Sequence, residues 1–225
     1  MKTSAILTAA VAAASLVTAQ AAIIGDWTFE TSVPATAGPF GPEIGSGSAL
    51  GFHAGATVYT SPSGNGSTHS FSSTVWAVGD YYQFQVSTLG LSGILLSFDQ
   101  TSSSTGPSQF KLSYSTDGST FTDFTTYNPL INGAPNTAWS PSTYNSVFTF
   151  NDDLSGVSAL NNQATVYFRL VDNGTVSEGG NGGVVATGGT DRVDNFVVST
   201  VPEPTSLALG LVGGFAWLLA LRRKH

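Results

Sequence analysis

The chain has 225 residues, a net charge of −7 and a sequence pI near 4.6, with 41% hydrophobic and only 9% charged residues. That balance fits one medium-sized globular core, excludes a highly charged disordered chain, and offers no basic field that would gather nucleic-acid phosphates. Twenty-nine Ser and 27 Thr stand beside 26 Gly, a mixture that favours strands and turns over helices, and the lack of Cys removes disulfides, thiol catalysis and thiolate metal sites.

The first segment, residues 1–21, carries one Lys, an apolar run from Ala5 to Val17 and the small-residue site Ala19-Gln20-Ala21. This pattern predicts a secretory signal peptide read by signal peptidase and the secretion machinery, cleaved after Ala21, with Ala19 or Ala22 as alternatives. The body, residues 22–200, holds Lys111, Arg169 and Arg192 against thirteen acidic side chains, a formal charge of −10.

Strand signals recur along the body: Ile24 to Glu30, Ser70 to Trp76, the alternating Tyr82 to Val86, Ile94 to Phe98 and Phe110 to Tyr114, then Ser119 to Thr125, Val147 to Phe150, Ala164 to Val171 and Arg192 to Ser199. Asp117-Gly118 between two of these runs predicts a hairpin with a type I′ turn. The stretches Thr31 to Asn65, Asn128 to Thr143 and Gly174 to Thr190 are dense in Gly, Pro, Ser and Asn and read as loops. With no amphipathic helix between the strands, the expected fold is all-β: an antiparallel two-sheet sandwich of jelly-roll type.

Val201-Pro202-Glu203-Pro204 opens the last segment, residues 201–225. An uncharged run follows from Leu207 to Leu221, then Arg222-Arg223-Lys224-His225. As a helix that run reaches about 22 Å, against about 30 Å of hydrocarbon, so residues 205–221 make a short transmembrane helix whose basic residues hold the end on the cytoplasmic side. The prolines keep the helix from running back into the body. The order Pro-Glu-Pro, apolar helix, Arg cluster resembles the PEP-CTERM sorting signal of Gram-negative, biofilm-forming bacteria, also known as the ice-binding-protein C-terminal domain. The resemblance implies recognition of Pro202, Glu203 and Pro204 by an exosortase, with Arg222, Arg223 and Lys224 as the basic stop. It further implies transient residence in the inner membrane, then delivery to the cell surface or the exopolysaccharide matrix.

Catalytic signals are sparse. His53 and His69, the imidazoles of the body, have no His partner at metal-ligand spacing, no nucleophile elbow or phosphate loop occurs, and both histidines read as loop residues. Carboxylates that a glycosidase would pair are abundant, at Glu30, Glu43, Asp99, Asp123, Asp152 and Asp153, but only geometry selects a pair. The body is therefore expected to be non-catalytic, with a structural or adhesive role; the alternative is a carbohydrate-binding module for extracellular polysaccharide, and a hydrolase comes third. Sugar binding needs aromatic faces beside polar groups, for which Trp76, Tyr127, Trp139 and Tyr144 are the candidates, with the core as the competing destination of each. The Tyr-Ser-Thr-Asp-Gly turn between alternating strands resembles galactose-binding-like and other carbohydrate-binding sandwiches. That resemblance implies a structural Ca²⁺ shared by acids near the first and last strands, here Glu30 and Asp194; Arg192 or solvent would satisfy the same carboxylates equally well.

Overall fold

Polar and apolar residues alternate along most of the body, and each alternating run forms a strand. The computed structural model describes residues 21–179 and 183–202, of which Ala22–Val201 form one unit. The expected signal peptide, apart from Ala21, and the segment from Glu203 onward lie outside the described residues, as does the expected transmembrane helix. Among the described residues no helix is long and apolar enough to cross a membrane.

The strands in chain order are β1 (Ile23–Trp27), β2 (Ile44–Gly45), β3 (Ser48–Phe52), β4 (Tyr59–Thr60), β5 (Phe71–Ser73), β6 (Tyr81–Val86), β7 (Ile94–Ser102), β8 (Phe110–Ser115), β9 (Thr122–Tyr127), β10 (Leu130–Ile131), β11 (Thr149–Leu154), β12 (Val166–Asp172) and β13 (Asp191–Thr200). They make two sheets, an all-β sandwich of jelly-roll type. In the first, the long strands β7 and β13 pair antiparallel at the centre. β1 and β5 share the other edge of β13, β11 and β10 share the other edge of β7, and only the short β10 runs parallel to its neighbour. The second sheet has the order β3-β6-β12-β8-β9, antiparallel throughout.

The inward phase of the strands supplies the core. Tyr82, Phe84, Phe110, Leu112, Val166, Phe168 and Leu170 from the second sheet meet Trp27, Phe71, Ile94, Phe98, Val193 and Phe196 from the first. Phe84 and Phe196 stack across the interface with centroids 3.5 Å apart and planes within 1°, and Trp27 sets its edge against both. Each such side chain contributes roughly 1.5–3 kcal/mol by leaving water, with about 0.5–1.5 kcal/mol more for a well-placed aromatic pair.

Two local expectations are corrected. Within Thr31 to Asn65, read as loop, the chain forms β2, β3 and β4, and β3 is the edge strand of the second sheet. The β8–β9 hairpin exists, but its last paired residues are Tyr114 and Thr122, so the connection is longer than a two-residue type I′ turn. Gly118 takes a positive φ of 74° and Asp117 does not. Asp117 instead accepts the N–H groups of Ser119 and Thr120, each at 2.8 Å, and its carboxylate organises the wider loop.

Candidate ligand-binding face

The aromatic residues expected to meet sugars do not share a surface. Trp76 is buried against Tyr82 and Phe110, with its indole N–H donated to the Ser73 carbonyl at 3.0 Å. Tyr127 packs on Phe98 and Phe150 and donates its hydroxyl to Gln100 at 2.6 Å. Trp139, only 6% exposed, sits edge-on to Phe148 under the loop that carries it. Each ring gains more from burial than a loop reading of its neighbourhood suggests. Tyr144 is the exception, 55% exposed, its hydroxyl 2.6 Å from Thr149 Oγ1.

The acids expected to share calcium bind different residues of one loop. Glu30 accepts the His69 N–H at 2.7 Å. Asp194, fully buried, accepts the Asn65 N–H at 2.9 Å and the Ser67 hydroxyl at 2.5 Å, and its Oδ1 has no partner. Burial pushes the Asp194 carboxyl up to about 8, against the pull of those donors and with a small addition from Asp99. Arg192 satisfies neither acid; it donates to the Ser63 carbonyl at 3.1 Å. Among the described residues no three His, Cys, Asp or Glu side chains converge as metal ligands, whereas Ca²⁺ takes about six to eight oxygens. Any Ca²⁺ held by Glu30 and Asp194 would have to draw most of its oxygens from backbone carbonyls.

His53 is not a free loop histidine. Its Nδ1 lies 2.9 Å from Asp80 Oδ2 and its Nε2 lies 3.0 Å from Ser73 Oγ, the atom order of a nucleophilic triad. Ser73 is fully buried and 3.1 Å from the Tyr82 hydroxyl, so no substrate reaches it. Burial holds the imidazole below its ordinary pKa although Asp80 and the Val75 carbonyl pull it upward. The trio is an internal polar tie between the end of β3, β5 and the start of β6.

The outward phase of the second sheet gathers polar and aromatic side chains, of which Gln83 and Ser113 are buried. Strand register aligns Leu50, Gln83, Arg169, Ser113 and Asp123 in one row across all five strands. Phe52, Tyr81, Val171, Lys111 and Thr126 form the next row on one side, and Ser48, Gln85, Tyr167 and Ser115 the next on the other.

At the centre, the Arg169 guanidinium lies 3.9 Å from the Tyr81 ring centroid and 3.6 Å from that of Phe121. Its Nε–H is donated to Gln83 Oε1 at 2.8 Å. Phe52, 45% exposed, stacks on Tyr81 at 5.0 Å. Asp123 accepts Lys111 Nζ at 2.9 Å and Ser113 Oγ at 2.7 Å, which together hold its carboxyl below the usual range. Burial draws the Arg169 pKa down, yet a guanidinium remains charged throughout the physiological range.

None of Arg169, Gln83, Tyr81, Phe52 and Phe121 is a sequence-predicted site residue. The signal for them is the polar phase of the alternating strands, where Tyr81 and Tyr167 put aromatic rings among Gln, Arg and Ser.

No protein-family model matches the chain, and no curated protein matches it. Similar solved structures include a family 61 carbohydrate-binding module in complex with β-1,4-galactotriose, at 10% identity and a TM-score of 0.37, covering 69% of this chain and 87% of that one. The family 22 carbohydrate-binding and family 10 xylanase modules of Clostridium thermocellum xylanase 10B, complexed with xylohexaose, align at 12% identity and a TM-score of 0.45, covering 81% and 29%. The K3 cleaved adhesin domain of Lys-gingipain from Porphyromonas gingivalis aligns at 14% identity and a TM-score of 0.41, covering 80% and 100%.

Proposed function

We propose that residues 22–200 are a non-catalytic polysaccharide-binding domain whose ligand lies across the outer face of the second sheet. The observation that carries this reading is the five-strand row from Leu50 to Asp123 with its flanking aromatic rings. A sugar presents hydroxyl edges and apolar ring faces, and recognising it takes fixed polar groups beside aromatic surface. Here Arg169 and Asp123 are held before any ligand arrives by the buried Gln83 and Ser113 beneath them, so little side-chain ordering remains to be done on binding. Adhesion within a matrix follows from such binding and needs no separate site.

Several of the carboxylates a hydrolase would pair are engaged within the protein. Glu43 accepts the N–H groups of Thr28 and Thr31, Asp99 accepts Thr149 and Asn195, and Asp153 accepts Ser155. The signal-peptide pattern and the Pro202-Glu203-Pro204 tail support export, transient anchoring in the inner membrane and exosortase processing into the surface or matrix.

The binding reading is tested by affinity electrophoresis on a panel of soluble polysaccharides. Retardation by at least one polymer is expected, lost in Gln83→Ala and kept in Tyr144→Ala. No retardation by any polymer, or loss in Tyr144→Ala alone, overturns it. The sorting reading is tested separately by the mass of the exported product, which should lack residues after the Pro-Glu-Pro segment.

A further inference from the structure

We propose that this face reads a carboxylate on its sugar, that the ligand is a uronate-bearing polysaccharide, and that Arg169 is the residue that reads it; this rests on the polysaccharide-binding reading above.

Three observations carry the inference. First, Arg169 is the basic side chain on this face that has no anion partner among the described residues. Lys111 is paired with Asp123 at 2.9 Å, and Arg192 is turned inward, donating to the Ser63 carbonyl at 3.1 Å with its guanidinium 6.0 Å from the Trp139 ring centroid. Arg169 makes one hydrogen bond among the described residues, through Nε to Gln83, which leaves its two amino groups free to donate.

Second, the guanidinium is oriented. With rings at 3.9 Å and 3.6 Å from it, a ligand has access to its edge rather than its flat faces. The edge of a planar fork matches a planar carboxylate in the bidentate manner, more closely than it matches a lone hydroxyl.

Third, the acids on this face do not oppose an incoming anion at that point. Asp123 is held by Lys111 and Ser113, and Asp117 is turned to the N–H groups of its own loop. The remaining negative charge of the body is screened over about 8 Å at physiological salt.

The position of Arg169 in the middle of the five-strand row puts this contact where a bound chain crosses the sheet. The aromatic rings of Phe52 and Phe121 then serve the apolar faces of the neighbouring sugars.

The test measures affinity for polygalacturonate, its fully methyl-esterified form, neutral galactan and dextran sulfate, using wild type, Arg169→Gln and Arg169→Lys. Polygalacturonate should bind wild type at least tenfold tighter than the methyl ester. Arg169→Gln should bring the two to equality, and Arg169→Lys should lose most of the difference because an ammonium keeps the charge without the fork. Equal affinity of wild type for acid and ester overturns the inference while leaving polysaccharide binding intact. Tighter binding of dextran sulfate than of polygalacturonate assigns the anion to sulfate and also overturns it. If no polymer binds, the functional reading itself fails. Near-UV circular dichroism checks each fold, and should Arg169→Gln not fold, the acid-to-ester ratio of wild type still decides.

Discussion

Replacing Asp172 by Asn isolates one buried charge. Asp172 closes β12 with its side chain almost fully buried, one oxygen accepting the Gly174 N–H at 3.2 Å and the other, Oδ2, without a partner. Burial, reinforced by the nearby Asp80 carboxylate and resisted by the Gly174 bond, raises its pKa from 3.8 to about 6. Between those values the native state holds a proton that the unfolded chain has released, so stability falls as pH rises through the window and levels off above it. A shift of this size corresponds to at most about 3 kcal/mol. Asn keeps an acceptor for Gly174 and carries no charge, so Asp172→Asn should match wild type near pH 3.5 and exceed it by roughly 1–3 kcal/mol at pH 7. Urea denaturation of both proteins at half-unit pH steps measures the difference curve, in which groups not coupled to Asp172 cancel. A flat curve between pH 4 and pH 7 refutes the reasoning, because it would mean that the Asp172 carboxylate reaches water in the folded state.

The remaining predictions address packing, the hairpin and metal. Phe196→Ala should cost about 4 kcal/mol in urea denaturation, since it removes a buried ring that stacks at 3.5 Å on Phe84 and touches Trp27, and a loss below about 1 kcal/mol would deny the stack. Asp117→Ala should lower the melting temperature at pH 7. The hydrogen bonds from Thr120, Ser119 and Ser115 hold the Asp117 carboxyl far below the usual range, so the wild-type advantage should persist at pH 4 and fade only in stronger acid. Calcium and a chelator should give the same melting temperature by calorimetry; a rise of several degrees with calcium would reveal ligands brought together from a different arrangement of Glu30 and Asp194.

Legibility in the sequence followed the phase of each strand. β6 and β12 put Tyr82, Phe84, Val86, Val166, Phe168 and Leu170 on one side, so both could be read directly as strands. β3 has the reverse arrangement: Leu50 and Phe52 face outward and only the small Ala49 enters the core, so an apolar count along it misleads. Arg169 carries no local mark of function. Its surroundings come from Gln83 and Tyr81 on β6 and from Phe121 beyond β8, which register alone brings to it. Trp139 lies in a stretch whose composition reads as loop, yet the chain there folds onto the first sheet through β10 and the ring is buried, while Tyr127 sits half-buried at the end of β9 and packs on Phe98. Asp194 stands out in the sequence as an acid at the end of the domain, and the structure shows it fastening the Asn65–Ser67 turn to β13.

The C-terminal strand β13 lies in the middle of its sheet, bonded to β7 along one edge and to β1 and β5 along the other, and the chain leaves it at Val201, whose N–H is still tied to the Gly93 carbonyl at 2.7 Å. Tension entering at that point runs lengthwise down a strand gripped on both flanks. The cross-strand rungs lie perpendicular to it and are loaded together in shear, instead of parting one at a time as at a peeled edge. Any force applied at this end would therefore load β13 along its length, in the sheet that does not carry the Arg169 face.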